Sequence, residues 1–237
     1  MSVESGSAGS RDTMATPFGV SPVESLSRRD AVLRELRRSI VLRRLKPGQK
    51  LTESTLATAL NVSRPTMREA LTQLAQEGLL IQEPYRGLRV AALDPTMIMD
   101  IARTRVALDL FAVQEILADR SGNRLDLVRT AWRDYDRLPI DADPVVAHEA
   151  HITFHRRLWE ASENVFLLRL WPVTEAHLTI ALAQDRVVHD DPRSSHDVHE
   201  QLVDAIVSQD LERVRDALLV HTVRTAEELV AEGGGVV

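Results

Sequence analysis

Histidines hold the most chemically suggestive spacing in this chain. The stretch "AHEAHITFHRRLW" (147–159) contains His148, His151 and His155. On a helix, His151 and His155 stand four residues apart, so both imidazoles leave the same face. Two more sit further on, His199 in "VHEQLVDAI" and His221 in "LLVHTVRT". Both lie among apolar residues at helical spacing, so both can face the interior of a bundle. Imidazole suits Zn, Ni, Co, Cu or Fe, and four of them can hold one divalent ion. A single histidine on an apolar face is more often a satisfied core residue; a pair plus two on other helices makes a ligand set the competing reading. Hydrolase chemistry fits less well. "HEAH" (148–151) has only two residues between its histidines, where a zincin needs H-E-x-x-H, and "HITFH" (151–155) has the spacing without the Glu. There is no Gly-rich phosphate loop and no nucleophile elbow, so an enzyme ranks below a binding protein. His148 and His196 stay outside the set.

A second constellation is basic. In "NVSRPTMREALTQLAQEGLL" (61–80), Arg64 and Arg68 are four residues apart at the start of an apolar-periodic run. Ser63 is placed to cap that helix and Pro65 is tolerated in its first turn. Met67, Ala70, Leu71 and Leu74 give the helix its apolar face, and Gly78 can end it in the left-handed conformation. Two arginines there can grip phosphate or fork onto guanine. Ser63, Thr66 and the helix N-terminus can donate to phosphate.

The elements that must position these groups follow from periodicity. Leu33, Leu36 and Ile40 mark a helix within Glu24–Leu45, which "KPGQ" (46–49) stops. Thr52 is a plausible N-cap for a short helix with Leu56 and Leu60. "LLIQEP" and "LRVAAL" read as strands joined by "YRG". Three helices and a hairpin are the order of a winged helix-turn-helix. In that arrangement the helix starting near Ser63 enters the major groove. Arg86 and Gly87 form the wing tip, where glycine permits close backbone approach. Small helix-turn-helix units also serve as protein-interaction modules, so spacing alone leaves that alternative open.

From Asp94 onward the pattern is helical, with six segments near 95–120, 125–138, 144–162, 165–189, 194–208 and 210–231. The expected fold is mainly α, an N-terminal winged helix-turn-helix plus a C-terminal antiparallel all-α bundle. The expected boundaries are a disordered, Ser/Gly-rich tail at 1–23, a DNA-binding unit at 24–92 and a helical unit at 93–232.

Charge divides the same way. The 237 residues carry a net charge of −6, but residues 24–91 hold 13 Lys/Arg against 7 Asp/Glu, whereas residues 92–237 hold 15 against 26. A basic module able to meet DNA is joined to an acidic one, although a net of +6 is also compatible with a solvated surface. No cysteine is present, which removes disulfides and thiolate metal sites. No apolar run approaches bilayer length and the first residues lack the apolar core of a signal peptide, so the expected compartment is the cytoplasm.

"LKPGQKLTESTLATALNVSRPTMREALTQLAQEGLLIQEPYRGLRV" (45–90) resembles the winged helix of the GntR family of bacterial transcription regulators, with the PG turn, "VSR", "REAL", "EGL" and "RG" in register. The resemblance implies operator contacts by Arg64, Thr66 and Arg68, with Arg86 and Gly87 at the wing and Ser54 on the second helix. Where the family usually reads "SRTPVREAL", this chain reads "SRPTMREAL", which keeps both arginines.

"FHRRLWEASENVFL" (154–167) and "VHEQLVDAIVSQDLERVRDALLVH" (198–221) resemble the FCD ligand-binding domain of FadR-like members, and six helices rather than seven point to the VanR-type subgroup. In many such domains an Asp and three histidines bind a metal. The Asp position here is His151, so the implied ligands are His151, His155, His199 and His221. Four neutral imidazoles favour Zn, with Ni as second choice, over Mn. The same substitution is also compatible with a site that has lost its metal. "RTRVALDLF" (103–111) resembles the family's R…LE element, which places Arg105 at the effector cavity, where it can clamp a carboxylate, and Asp109 at the acidic position. A plain interhelical ion pair is the alternative for Arg105. The implied protein is a homodimeric repressor on a palindromic operator, controlled by a small organic acid. A direct metal sensor and a metalloenzyme tethered to DNA are the alternatives.

Overall fold

The computed structural model describes residues 28–83, 85, 87–184 and 192–233. The N-terminal unit contains α1 (Arg28–Val41), α2 (Glu53–Ala59), α3 (Arg64–Gln76) and a hairpin of β1 (Leu80–Glu83) and β2 (Gly87–Val90). The stripe expected on α1 is real, with Val32, Leu33, Leu36 and Ile40 buried. They pack against Met67, Ala70, Leu71 and Leu74 of α3. Ser63 caps α3 by accepting from the Thr66 amide at 3.3 Å. Thr52 holds the N-cap position of α2, but its side chain makes no capping bond. Gly78 follows α3 with φ +87°, a left-handed conformation that only glycine adopts without strain. The strands pair antiparallel from Leu80↔Val90 to Glu83↔Gly87. Residues 48–51 flank the other edge of β2 through Leu51 N–H to Leu88 O at 2.8 Å and Val90 N–H to Gln49 O at 3.0 Å. Three helices and a wing result, as the residue pattern demanded.

The bundle comprises α4 (Pro95–Leu117), α5 (Asn123–Asp136), α6 (Pro144–Ala161), α7 (Val165–Gln184), α8 (Pro192–Val207), α9 (Leu211–Leu218), a π-helical segment (Leu219–Arg224) and α10 (Thr225–Gly233). Aspartates start several of these helices. Asp94 accepts from Met97 N–H, Asp143 from Val145 N–H, and Asp210 from the amides of Glu212 and Arg213. Proline fills the first turn of α4 and α6, where a missing N–H costs nothing. The core joins Val113 and Ile116 of α4, Leu158 of α6, Leu202 and Ile206 of α8, and Val214 and Leu218 of α9.

Two sequence expectations change. The last helix, expected as continuous over 210–231, is interrupted by the π segment at 219–224. And α7, with 20 residues and a mean hydropathy of 1.3, is long and apolar enough by composition to cross a membrane. Its apolarity has a local use. Ala176, Ile180 and Ala183 enter the core of the winged helix, while Leu167, Trp171 and Leu178 pack inside the bundle. The helix therefore serves two cores, which leaves few positions for polar residues.

Candidate metal centre and nucleic-acid interface

Three elements bring four histidines together. Helix α6 supplies His151 and His155, α8 supplies His199 and the π segment supplies His221. Ring centroids lie 4.8 Å apart for His151–His155, 4.7 Å for His151–His199, 4.8 Å for His155–His221 and 4.4 Å for His199–His221. His155, His199 and His221 are buried; His151 is the most open of the four and lines a cavity on each side of the cluster. The π segment matters here. Its wider turn shifts the register of the helix, and His221 sits inside it.

The nitrogens converge. His155 Nε2 lies 3.2 Å from His199 Nε2 and 3.0 Å from His221 Nε2. Ligand atoms of His151, His155 and His199 fall within 4.8 Å of one another. Four nitrogens around a tetrahedral zinc are about 3.3 Å apart, given Zn–N bonds of about 2.0–2.1 Å. The donor atoms of His151, His155 and His199 lie close enough to share a divalent ion, and His221 adjoins them through His155, its ring centroid 6.4 Å from that of His151. Hydrogen bonding gives a second test. Arg105 Nη2 is 2.9 Å from His155 Nδ1. A guanidinium only donates, so Nδ1 accepts, and the neutral ring carries its hydrogen on Nε2. That one hydrogen faces two ring nitrogens and can serve only one. A cation at the centre of the cluster would use the ring lone pairs in place of that hydrogen.

Electrostatics agree. Burial pushes His155, His151 and His221 well below the ordinary imidazole range. The next contribution is the Arg105 charge for His155 and the neighbouring His199 for the other two. Neutral imidazoles keep the lone pairs that ligation needs.

Arg105 stands on α4 at the wall of a cavity of about 340 Å³ shared with His151, His199 and His221. It is 5 % exposed and its Nη2 lies 3.2 Å from Asp109 Oδ2, while its Nε has no hydrogen-bond partner. Asp109, fully buried, accepts from Trp159 Nε1 at 2.6 Å. Sequence reading had Arg105 and Asp109 but not Trp159, because nothing in "RRLWEAS" signals an indole aimed at a carboxylate on another helix. The excluded histidines have other partners. His148 Nε2 lies 3.3 Å from Thr179 Oγ1 on α7, and His196 Nε2 is 2.9 Å from Asp136 Oδ1.

The second constellation lies on the winged helix. Arg64 and Arg68 emerge at the start of α3, and both turn to Glu53, the first residue of α2. Arg68 Nε and Nη2 donate to the two carboxylate oxygens at 3.0 and 3.1 Å, and Arg64 Nε is 3.5 Å from Oε1. Glu53 was absent from the sequence reading. Ser63 Oγ and Thr66 Oγ1 are 2.8 Å apart. Ser54 is exposed on α2, next in sequence to Glu53. Gly87 starts β2 with φ +83°, and a Cβ there would sit 3.6 Å from Lys50 Cε. Arg86 lies outside the described residues.

Comparison with known proteins identifies both units. The model of the "Bacterial regulatory proteins, gntR family" matches residues 28–90 and that of the FCD domain matches residues 100–224. The chain is 30% identical over 195 residues to a "Probable D-xylose utilization operon transcriptional repressor" of Paenarthrobacter nicotinovorans, covering 81% of this chain and 84% of that protein. It is 25% identical over 197 residues to the HTH-type transcriptional repressor GlaR of Escherichia coli (strain K12), covering 79% and 89%. Among solved structures, E. coli McbR/YncC superposes with a TM-score of 0.62 at 20% identity, covering 88% of this chain and 100% of that one; that likeness speaks for the fold. The family and these relatives are regulators, not enzymes. Its winged helix, its helical bundle and these matches make this chain a transcription regulator of the GntR family with an FCD domain.

Proposed function

We propose that the protein is a cytoplasmic homodimeric repressor whose operator affinity is set by a small organic acid bound beside a divalent ion. The observation that carries this reading is that His155 Nε2 lies 3.2 Å from His199 Nε2 and 3.0 Å from His221 Nε2, with a His151 ligand atom within 4.8 Å of those of His155 and His199, next to a buried arginine and a cavity of about 340 Å³. The four imidazoles would hold the ion, zinc before nickel by donor type. When bound, the ion supplies a positive charge that attracts a carboxylate. Arg105 supplies the second cation, and its Nε has no competing partner. Ligation through His155 Nε2 requires the ring hydrogen on Nδ1, so Arg105 releases that nitrogen and can turn to the cavity. Ile98, Leu178 and Leu182 line the same space, which favours an acid with a short apolar body.

The winged helix would read DNA through Arg64, Thr66 and Arg68, with Ser54, Ser63, Arg86 and Gly87 as supporting contacts. We place the boundary between the two units near Leu93, whose backbone is pinned to α7 by Gln184 on both its N–H and its C=O. Two-fold pairing suits a palindromic operator. Support for pairing comes from the apolar residues Phe166, Leu170 and Val173, exposed along α7, with Phe111 exposed on α4.

The test is binding of purified protein to duplexes selected from a random pool, measured by fluorescence anisotropy with a panel of small carboxylates, with and without Zn²⁺. An acid that changes affinity at least tenfold only with Zn²⁺, an effect lost in Arg105→Gln, supports the reading. Zn²⁺ changing affinity while no acid does would favour direct metal sensing.

A further inference from the structure

The two arginines at the start of α3 are not free cations. Glu53 sits in the first turn of α2, where the helix N-terminus favours a carboxylate. Its side chain is 24 % exposed, against 69 % for Arg64 and 68 % for Arg68. The carboxylate is thus anchored against the protein while the guanidinium groups project outward. Arg68 meets it with two parallel bonds, Nε to Oε2 at 3.0 Å and Nη2 to Oε1 at 3.1 Å. Exposed ion pairs contribute little to stability as a rule. A bidentate pair still fixes direction, because the fork leaves the guanidinium one plane and one orientation.

That orientation has a chemical consequence. A guanidinium carries five N–H bonds. Glu53 takes the edge formed by Nε and one Nη2 hydrogen. The outer end, one hydrogen from each Nη, is not engaged by Glu53, and the side chain is 68 % exposed. This end-on fork matches the O6 and N7 acceptors of guanine in the major groove. With one of its two bidentate edges taken by Glu53, Arg68 has a single fork left to offer, and its charge is partly neutralised for phosphate. Arg64 lies 3.5 Å from the same carboxylate, so one negative charge restrains both cations. Those bonds to Arg68 and Arg64 also hold the Glu53 carboxyl below the usual range, so it stays charged at neutral pH.

We propose that Glu53 is a specificity-determining positioning residue: it holds Arg68 end-on for a guanine edge and withholds both arginines from indiscriminate phosphate binding. This rests on the reading that α3 contacts DNA. Without Glu53, two mobile cations would face any duplex, and binding to random DNA would rise as base reading falls. The salt dependence would steepen, since each arginine transferred to a phosphate adds about one to the slope of log K against log salt.

The experiment uses full-length wild type, Glu53→Gln and Arg68→Ala. Two probes are compared, a duplex selected by the wild type from a random pool and a scrambled duplex of equal composition. Glu53→Gln keeps the shape and the packing but not the charge. Expected for it are an unchanged melting temperature, several-fold tighter binding to the scrambled duplex and a steeper salt slope. The selected-to-scrambled affinity ratio should drop about tenfold, the size of one good bidentate base contact. Repeating the selection with this variant should relax the preference for guanine at one position in each half-site. An unchanged ratio and slope, with Arg68→Ala still losing affinity for the selected duplex, would overturn the role of Glu53. So would a parallel loss on both duplexes with a lower melting temperature, which marks a purely structural pair. If Arg68→Ala and Arg64→Ala both bind the selected duplex like wild type, α3 does not read DNA and the inference falls with that reading.

Discussion

His155 concentrates the chemistry of the bundle in one ring. One nitrogen accepts from Arg105 and the other faces His199 and His221, and none of its surface reaches solvent. A charged imidazole in that position would lose its hydration and, secondarily, oppose the arginine, which is why its pKa is depressed. The same holds for His151 and His221. Stability follows with a definite sign. In the unfolded chain these groups take up protons near pH 6.5; in the folded chain they do so only well below it. Their contribution is present above pH 6.5 and is lost as pH falls, by about 1.4 kcal/mol per histidine for each pH unit. Melting temperature measured in chelator should therefore fall steeply between pH 7 and 5.5, and His221→Gln should make that fall shallower. An equal slope in both proteins would show that the cluster is not the cause. At this scale much was legible. The four histidines are neighbours, with His151, His155 and His199 closest as a group, because i, i+4 spacing on α6 and apolar neighbours around His199 and His221 dictated their faces. Trp159 and Glu53 were not legible, since each partner lies on a different element and no local pattern announces the pairing.

At the scale of elements, α7 and the π segment do what their neighbours cannot. One end of α7 lines the cavity through Leu178 and Leu182, and the same turns place Ala176, Ile180 and Ala183 in the core of the winged helix. A ligand beside Leu178 thus touches the helix that plugs the DNA-reading unit. The bond between His148 and Thr179 ties α7 to the helix bearing His151 and His155. Ile180 is 1 % exposed. Truncating it to alanine should cost about 2–5 kcal/mol if the cavity does not collapse, and should weaken the link between ligand and operator affinity. Chemical denaturation together with the anisotropy titration checks both; a stability change under 1 kcal/mol would mean that the two units do not share a core. The segment starts expected near 95, 144 and 210 fall within a residue of α4, α6 and α9, where a capping carboxylate acts locally. The π segment was not readable. No local pattern in "LLVHTVRT" signals an extra residue in a helical turn.

The whole molecule couples a basic reader to an acidic bundle, and the charge split of the sequence, +6 over residues 24–91 and −11 over 92–237, survives as two folded units. Their contact is not a loose linker: the shared apolar cluster and the Arg38–Asp143 pair at 3.5 Å join them. Pairing of two copies is the remaining requirement for a palindromic operator. Phe166, 69 % exposed on α7, is the most prominent apolar group available for it. Phe166→Glu should shift the protein from dimer to monomer in light scattering and lower operator affinity at least tenfold. A dimer that persists in this variant would place the interface elsewhere. The sequence showed two modules through charge and periodicity, but not that α7 belongs to both, because its Ala176, Ile180 and Ala183 spacing equals that of any buried helix.

The bundle is a metal centre only if its four histidines hold an ion. The direct measurement is the metal content of untagged protein purified without chelator, by inductively coupled plasma mass spectrometry, beside His155→Ala. One divalent ion per chain, zinc foremost, lost in the variant, is the predicted result. No ion in the wild type, even after incubation with Zn²⁺ or Ni²⁺ and desalting, would contradict the account and leave the imidazoles as polar lining of a pocket that binds its effector directly.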